Sequence, residues 1–331
     1  MSVYNGERYL REAVDSVIGQ TFADFEFMII DDASSDGSSA IIAEYASRDA
    51  RVVMHRNSRN MGLSKSLNKG LGFSSGQYIA RHDADDVSLP DRLEKQICVL
   101  EGHPDVVLVS GNLDLIESDG HVWRQPRRSG HPLLVAWFLL FYNYLGGHSQ
   151  VMFRRQAVAD VEGYSEKLLY SQDYELWLRL AQVGRIAIIP DVILRHRRHE
   201  GSISATHHEA QRQYSYIYSG RAIARLLGEE LSRTDVAELQ AFWLSPLPDI
   251  RAAARLQEKF RAILCAFLRE EALRGSIDRN LTGELSRLIG RRYLSWAHVM
   301  GLKRSPIPML QLLRYASNWY LLAFRPCIFQ G

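Results

Sequence analysis

The sequence has few cysteines, little net charge and no long uninterrupted apolar segment. Its three cysteines, Cys98, Cys265 and Cys327, are far apart and lack the short spacings of metal-binding motifs. This pattern argues against a disulfide framework and a zinc site, and it fits small buried thiols in a reducing compartment. The formal net charge of +2 gives no reason to expect nucleic acid as a partner.

Membrane insertion and secretion are not indicated either. The longest apolar run, residues 133–145, contains Asn143 and is too short to span a bilayer. Near the N-terminus Glu7, Arg8 and Arg11 follow very few apolar residues, so we expect no signal peptide. A hydrophobic content of 46% and a charged content of 24% are typical of a soluble globular protein. We therefore expect a cytoplasmic protein, with peripheral contact at the inner face of the cell membrane left open.

Strand-like and helix-like segments alternate over the first 110 residues. The predicted strands cover residues 25–30, 52–54, 78–80 and 106–109. The segments between them carry apolar residues at helical spacing, for example Leu63, Leu67 and Leu71. This order predicts an α/β fold, a doubly wound and mostly parallel sheet with helices on both faces.

Past residue 110 the regular alternation stops. Asp119-Gly120 indicates a hairpin turn, and residues 186–189 and 192–194 are predicted to form two short strands around Pro190. From His207 onward the pattern is helical and richer in arginine. We therefore divide the chain into an α/β domain, residues 1–204, and a helical C-terminal region, residues 205–331.

Two acidic segments follow predicted strands, Asp31-Asp32 and Asp83-Ala84-Asp85-Asp86. Two carboxylates about 4 Å apart repel by roughly 4 kcal/mol at an effective dielectric constant near 20. Such clusters are tolerated where a cation binds, and clustered oxygen ligands usually hold a hard divalent ion. Because ligands bind outside the carboxyl ends of the strands in such a sheet, the two segments predict one site. The alternative is an acidic loop that caps the helix after Pro90.

Seven short motifs occur in order along the chain. They are Val3-Tyr4-Asn5-Gly6-Glu7, Gln20-Thr21-Phe22, Ile30-Asp31-Asp32-Ala33-Ser34-Ser35-Asp36-Gly37, Asn60-Met61-Gly62-Leu63, Asp83-Ala84-Asp85-Asp86, Gln172-Asp173-Tyr174-Glu175-Leu176-Trp177 and His199-Glu200-Gly201-Ser202-Ile203-Ser204. With this ordered set the chain resembles the family 2 glycosyltransferases, whose catalytic domain has the GT-A fold, over residues 1–204. The resemblance implies an inverting enzyme that uses Mn²⁺ or Mg²⁺. Such an enzyme transfers a sugar from a nucleotide-diphosphate donor, a UDP- or dTDP-sugar, to the hydroxyl of a carbohydrate or lipid-linked acceptor in polysaccharide or glycoconjugate biosynthesis.

The resemblance assigns five residues to nucleotide binding. Asp32 would accept the imide proton of uracil or thymine, which distinguishes these bases from cytosine. Val3 and Tyr4 would form the wall against which the base packs, and Tyr4 as a core residue is the alternative. Glu7 would approach the same pocket or favour a helix N-terminus. Lys65 would contact the nucleotide or remain a solvated lysine.

The acidic motif and a late histidine are matched to the diphosphate and its metal. Asp83 would face the ribose and the outer shell of the metal, and Asp85 would be a direct metal ligand. Asp86 would orient Asp85 or cap the next helix. His199 would reach the metal or the diphosphate, with a generic basic loop as the alternative.

Asp173 is matched to the catalytic base, which would take the proton of the acceptor hydroxyl. The other interpretation of Asp173 is a helix N-cap, and the two roles are compatible. The family often has Glu before this Asp, whereas Gln172 stands here. Gln172 and His148 are assigned to the acceptor side, and a hydrogen-bonded structural histidine is the alternative for His148.

The N-terminus departs from the family pattern. The family's first strand leads into the turn that Tyr4-Asn5-Gly6 forms, and Met1 and Ser2 stand where that strand should be ending. A buried parallel sheet needs its interior strands, since unpaired buried backbone groups cost about 1 to 3 kcal/mol each. We therefore expect a truncated first strand and a natural start upstream.

Other classes of protein remain open at this point. A truncated member of the family could bind nucleotide sugars or partners without catalysis. A nucleotidyltransferase also uses aspartates with a metal, but it would normally show a glycine-rich, lysine-bearing loop, and Asn5-Gly6-Glu7 is not one. The apolar segment 306–329 predicts either an interfacial helix that contacts the membrane or packing against the catalytic domain.

Overall fold

The computed structural model describes residues 1–245, 249–275, 279–303 and 305–323. By their contacts these residues form two compact units. The first comprises Met1–Leu139 and Asn143–Ser215, and the second comprises Leu140–Tyr142 and the described residues from Tyr216 onward. The sequence-based division of the chain at residue 204, as the end of the catalytic domain, stays a prediction.

The first unit begins with a small parallel sheet and three helices. Its elements in chain order are β1 (Ser2–Val3), α1 (Glu7–Ile18), β2 (Phe27–Asp31), α2 (Ser38–Arg48), β3 (Val52–Arg56) and α3 (Leu63–Phe73). The strands are ordered β1-β2-β3, and both neighbouring pairs are parallel. The apolar face of α1 packs against this sheet, so that Leu10 and Val14 share one core with Phe27 and Ile29.

The rest of the first unit is built on a second, mixed sheet. Its elements are β4 (Tyr78–Ala80), β5 (Val87–Ser88), α4 (Arg92–Gly102), β6 (Val106–Ile116), β7 (Val122–Arg124), α5 (Pro132–Leu139), β8 (Met152–Arg154), α6 (Arg155–Asp160), α7 (Gln172–Val183), β9 (Arg185–Arg197) and α8 (Ile203–Thr206). The strand order is β4-β8-β6-β9-β5, with β7 paired to β6. β6 and β9 are parallel, and the other pairs are antiparallel.

The strand β9 corrects one prediction. The sequence predicts two short strands around Pro190, but the structure has one strand from Arg185 to Arg197. Its register against β6 shifts between Gly111 and Asn112, so Pro190, which has no N–H to donate, sits at an irregularity of the ladder. The predicted hairpin turn joins β6 to β7, with Gly120 at a φ of 88°.

A cavity of about 630 Å³ lies between the edges of the two sheets. β1, which has only two residues, is the edge strand of the first sheet, and β4 is the edge strand of the second. In the described first unit no strand pair joins the two sheets. Residues of β2 and β4, together with the N-terminal Met1, line the cavity, among them Phe27, Met28, Tyr78, Ile79 and Ala80.

The described residues from 208 onward form helices and their connections, as predicted. The elements are α9 (His208–Leu227), α10 (Arg233–Leu244), α11 (Ile250–Leu273), α12 (Arg279–Leu302) and α13 (Pro306–Ala323). In the core of the second unit the ring of Phe242 lies 4.5 Å from that of Phe260, 5.0 Å from Tyr293 and 5.1 Å from Trp296. Aromatic packing of this kind stabilises a helical core.

Two sequence-based expectations concern the membrane and the thiols. Within the described ranges, no helix combines the length and the hydropathy needed to cross a bilayer. Of the predicted membrane-contact segment, residues 306–323 form α13, and Phe324 onward lies outside the described residues.

The expectation of buried thiols is wrong for Cys98, which is exposed on α4; Cys265 is half-buried. Cys327 lies outside the described residues.

Candidate active site

The acidic segment forms the connection between β4 and β5. Asp83 is half-buried there, and the Arg81 guanidinium donates to its Oδ1. The Ser149 hydroxyl donates to Asp83 Oδ2 at 2.9 Å and accepts the Asp83 N–H at 2.8 Å. Burial alone would raise the pKa of Asp83, but the Arg81 charge and the Ser149 hydroxyl hold it well below its ordinary value. Asp83 is therefore ionised at neutral pH.

Asp86 is fully buried and is bound by the end of β9. Its Oδ1 accepts the Arg197 N–H at 2.8 Å, and Nδ1 of His196 lies 3.1 Å from the carboxylate. The Asp86 charge raises the pKa of His196 to about 9, against the effect of burial, so His196 is protonated at neutral pH. Asp86 thus anchors the acidic segment to β9.

Asp85 faces a histidine from the segment after β9. Its Oδ2 lies 3.0 Å from Nε2 of His199, whose ring is 5.0 Å from that of Tyr9 on α1. Burial, together with the charges of Asp86 and Asp83, raises the pKa of Asp85 to about 6. The carboxylate is therefore held close to like charges at an electrostatic cost.

The Asp85–His199 pair fits a divalent cation. Two ligands about 2.1 Å from an octahedral ion and at right angles to each other are about 3.0 Å apart, which is the separation of this pair. In the part of the chain that the structure describes, no group of three or more His, Cys, Asp or Glu side chains could hold a metal by itself.

Two buried arginines, which the sequence analysis did not single out as site residues, hold the acidic segment. Arg92 on α4 is 1% exposed and donates to the carbonyl oxygens of Arg81 at 2.6 Å and Val151 at 3.2 Å. Arg197, 2% exposed, donates to the Asp85 carbonyl oxygen at 2.9 Å and pairs with Glu12 of α1 at 2.6 Å. Both guanidiniums therefore join the segment to neighbouring elements through its backbone.

Asp32 is buried behind the loop that leads into α3. Its Oδ1 accepts hydrogen bonds from the Asn57 side chain at 2.7 Å and the Met61 N–H at 2.8 Å, and its Oδ2 accepts the Gly62 N–H at 2.9 Å. Gly62 has a φ of 87°, a backbone conformation that favours glycine. Lys65 is exposed on the first turn of α3. Asp32 therefore fixes the loop that leads into α3, the helix that carries Lys65.

The turn between β1 and α1 touches both acidic segments. The Asp32 N–H donates to the Val3 carbonyl oxygen at 2.8 Å, and a Cβ placed on Gly6 would lie 3.4 Å from Ala84. The Val3 side chain is part of the core, while the Tyr4 ring is 54% exposed. The turn thus brings the predicted nucleotide residues into one neighbourhood with the acidic segment.

Glu7 and Asp36 cap each other's helices. The Asp36 carboxylate accepts the N–H of Glu7, the first residue of α1, at 3.0 Å. The Glu7 carboxylate accepts the Gly37 N–H, just before α2, at 2.8 Å. In the structure Glu7 therefore has the helix-terminus role that the sequence left as its alternative, and its contact with a nucleotide stays a prediction.

We expect Glu7→Ala to lower the free energy of unfolding by about 1 kcal/mol, since a helix cap is lost. Donor affinity should change by less than about twofold. The Asp36→Ala variant removes the reciprocal cap and also the hydrogen bond from the Ser38 N–H to Asp36 Oδ1, so as the control it should show a loss at least as large in a thermal melt. Weaker donor binding in Glu7→Ala but not in Asp36→Ala would show that Glu7 contacts the nucleotide.

Asp173 lies in the first turn of α7. Its Oδ2 accepts a hydrogen bond from the Asn143 side-chain amide at 2.8 Å. Burial raises the pKa of Asp173 above its ordinary value, and the charge of Asp83 adds to this effect; the Tyr174 N–H and Asn143 counteract it. Ser171 precedes the helix with a φ of 55°, a conformation that costs a residue with a Cβ about 1 to 2 kcal/mol. The carboxylate is thus held with a raised proton affinity.

His148 packs against α7, the helix that begins with Gln172 and Asp173. Nε2 of His148 is 2.7 Å from the Tyr164 hydroxyl, and its ring is 5.8 Å from that of Trp177 on α7. Burial, together with the Arg81 charge, lowers the pKa of His148 to about 3, so the ring is neutral. Gln172 is 8% exposed. Their contact with an acceptor stays a prediction.

The architecture places the chain in a known class of fold, that of the GT-A glycosyltransferases. TarS of S. aureus, in a structure with UDP-GlcNAc, matches 98% of this chain and 91% of its own with a TM-score of 0.54 at 16% identity. Mannosyltransferase PcManGT from Pyrobaculum calidifontis, in a structure with GDP-Man and Mn²⁺, matches 98% and 86% with a TM-score of 0.51 at 16% identity. The predicted GT-A fold is confirmed, but the second sheet is mixed, whereas the sequence predicts a mostly parallel sheet.

The sequence comparisons give the family. Residues 1–161 match the model of glycosyl transferase family 2. The amylovoran biosynthesis glycosyltransferase AmsE of Erwinia amylovora is 33% identical over 68% of this chain and 83% of its own. A glycosyltransferase of Methanocaldococcus jannaschii is 32% identical over 65% of this chain and 75% of its own. The chain belongs to glycosyltransferase family 2, which confirms the predicted family and the class of enzyme.

Proposed function

We propose that the protein transfers a sugar from a UDP- or dTDP-sugar to an acceptor hydroxyl with inversion at the anomeric carbon. The observation that carries this proposal is the Asp85–His199 pair beside Asp83. A further carboxylate, that of Asp173, lies in the same unit. Nucleotide sugars are bound by the solved relatives, UDP-GlcNAc by TarS and GDP-Man by PcManGT. We propose that residues 1–204 form the catalytic domain.

In this proposal the turn after β1 and the start of α3 bind the nucleotide. The exposed ring of Tyr4 would pack on the base, and Asp32, whose Oδ2 accepts one protein hydrogen bond, would accept the imide proton. Lys65, exposed on the first turn of α3, would approach the diphosphate. Val3 would contribute its backbone, since its side chain is buried in the core.

Asp85 and His199 would hold Mn²⁺ or Mg²⁺ together with the diphosphate, and Asp83 would face the ribose. When bound, the ion would offset the negative charge that grows on the leaving diphosphate. Arg92 and Arg197 keep the backbone of the acidic segment in place, so little reorganisation is needed when the donor enters.

Asp173 would act as the general base. The acceptor oxygen forms the new bond to the anomeric carbon, its proton passes to the Asp173 carboxylate, and the nucleoside diphosphate leaves with the electron pair of the broken bond. A raised pKa suits this role, because a base is most effective when its pKa is near the working pH. His148 and Gln172 would line the acceptor side. The acceptor would be a growing polysaccharide or glycoconjugate, since AmsE is an amylovoran biosynthesis enzyme.

A donor screen followed by an activity assay tests the proposal. A nucleotide sugar that binds should raise the melting temperature with Mn²⁺ present, because a ligand at 100 times its Kd stabilises by about 2.7 kcal/mol. That donor should then be hydrolysed or transferred, and EDTA should suppress turnover. A thermal shift without turnover would favour the non-catalytic alternative, and no shift with any donor would contradict donor binding.

We also propose that α13 contacts an anionic membrane surface. The helix is buried through Leu312, Ala316 and Trp319. On another face Ile307, Leu310 and Leu321 are 71%, 61% and 60% exposed. Residues 279–323 carry seven Lys and Arg residues and a single Glu, which complements acidic lipid headgroups. This arrangement suits an enzyme whose acceptor is attached to a lipid.

The wild-type protein should co-sediment with vesicles that contain anionic lipid and dissociate at high salt. The double variant Leu310→Ser/Leu321→Ser should partition at least about tenfold less, because each buried leucine contributes about 1.5 to 3 kcal/mol. Leu273→Ser, at a residue that is 90% exposed on α11, is the control and should bind as the wild type does. Wild-type protein that stays in the supernatant at low salt would contradict the membrane contact.

A further inference from the structure

Asn143 is a polar residue in the longest apolar run of the sequence. It follows α5 and is half-buried. Its side-chain amide is oriented by two contacts: Nδ2 donates to Asp173 Oδ2 at 2.8 Å, and Oδ1 accepts the Gly146 N–H at 3.4 Å. Gly146 has a φ of 84°, so the turn that places its N–H favours glycine. The turn therefore holds the amide with its donor toward the carboxylate.

We propose that Asn143 is a positioning residue for Asp173, which fixes one carboxylate oxygen so that the group keeps a single orientation toward the acceptor. This inference rests on the proposed role of Asp173 as the base. An amide is suited to the task because it donates to the carboxylate without adding charge or titrating in the working pH range.

The surroundings of Asp173 explain why such a donor is needed. Burial and the charge of Asp83 both disfavour the ionised carboxylate, while the first-turn Tyr174 N–H and Asn143 favour it. The nearby Tyr164 hydroxyl is neutral, since burial raises its pKa far above the physiological range. Asn143 is therefore the side chain among these groups that stabilises the ionised base.

The test compares Asn143→Leu and Asn143→Ser with the wild type in a transfer assay from pH 5 to 9. Loss of a hydrogen bond to a charged group should lower kcat by about tenfold or more, with KM for the donor unchanged. Without the Asn143 hydrogen bond the pKa of Asp173 should rise by about one unit, a tenfold change in its ionisation equilibrium. The acid limb of the kcat profile should therefore move to higher pH by the same amount. The serine variant keeps the test valid if the leucine variant does not fold.

A double-mutant cycle separates positioning from a structural role. In an Asp173→Asn background, adding Asn143→Ser should have no further effect on the residual rate, because the group it positions is gone. An unchanged acid limb in both folded single variants, or equal losses with and without Asp173, would overturn the inference. If instead Asp173→Asn itself retains full activity, the proposed base is wrong, and the two failures are thereby distinguished.

Discussion

Asp173→Asn is expected to reduce the rate of sugar transfer by about 10²- to 10⁴-fold, the usual contribution of a positioned general base. Asparagine has nearly the same shape but cannot take the acceptor proton at neutral pH. Donor affinity, measured by thermal shift with Mn²⁺, should stay within about twofold of the wild type, since the proposed site assigns Asp173 to the acceptor proton and not to the donor or the metal.

Glu175→Gln is the matched control for Asp173→Asn. Glu175 lies in the same turn of α7 and pairs with Arg179 at 2.6 Å, a partly exposed ion pair of small expected effect. Its loss should leave kcat within a few-fold of the wild type. Equal rates for Asp173→Asn and wild type would remove Asp173 from the mechanism, and an equal loss in both variants would indicate damage to α7.

The second large effect is expected for Asp85→Asn, which should abolish the Mn²⁺-dependent thermal shift by the donor and lower transfer by at least about 10²-fold. The same variant should be more stable than the wild type when no metal is present. The folded-state pKa of Asp85, about 6, is above the value of about 3.9 for an unfolded chain, so ionisation at pH 7 favours the unfolded state. The variant should gain on the order of 2 kcal/mol in the free energy of unfolding at pH 7. This gain should shrink as the pH falls from 6 toward 4.

Asp86→Asn, one residue away, is a control in which the change in stability should have the opposite sign. Although burial opposes ionisation, His196 lowers the pKa of Asp86, so its charge stabilises the folded state at neutral pH. This variant should therefore melt at a lower temperature than the wild type, and its deficit should shrink on acidification. A lower melting temperature for Asp85→Asn at pH 7, or an undiminished Mn²⁺ response, would contradict the interpretation of Asp85 as a metal ligand held near like charges.

Much of the fold follows from local patterns in the sequence. The strand of residues 78–80 and the helices that include Leu67 and Leu176 are present, because apolar periodicity depends on residues close together in the chain. The sequence could not give the pairing of the strands: β4, β8 and β6 are antiparallel neighbours, and no local signal encodes that order. The proline irregularity in β9 was missed because it depends on the register against β6.

The acidic segment of the candidate site could be predicted, but its supports could not. Three carboxylates in four residues are visible in the sequence. Arg92 and Ser149, which hold this segment, and Asn143, which contacts Asp173, lie 11 to 66 residues from these partners and resemble ordinary polar positions. The sequence singles out Asp32 as a candidate, yet its burial beneath three hydrogen bonds depends on the loop before α3, which packs on it only in the folded chain.

The cavity between β1 and β4 has a consequence for local dynamics. Because no ladder of backbone hydrogen bonds runs from one sheet to the other, the three-stranded layer can open without breaking strand pairs in the six-stranded one. Amide protons of Ile29 and Ile30 are then expected to exchange with solvent through a partial unfolding event of lower free energy than the one that releases β6. We therefore expect the segment that carries Asp32 to belong to the less protected part of the unit, and the proposed nucleotide to increase its protection on binding.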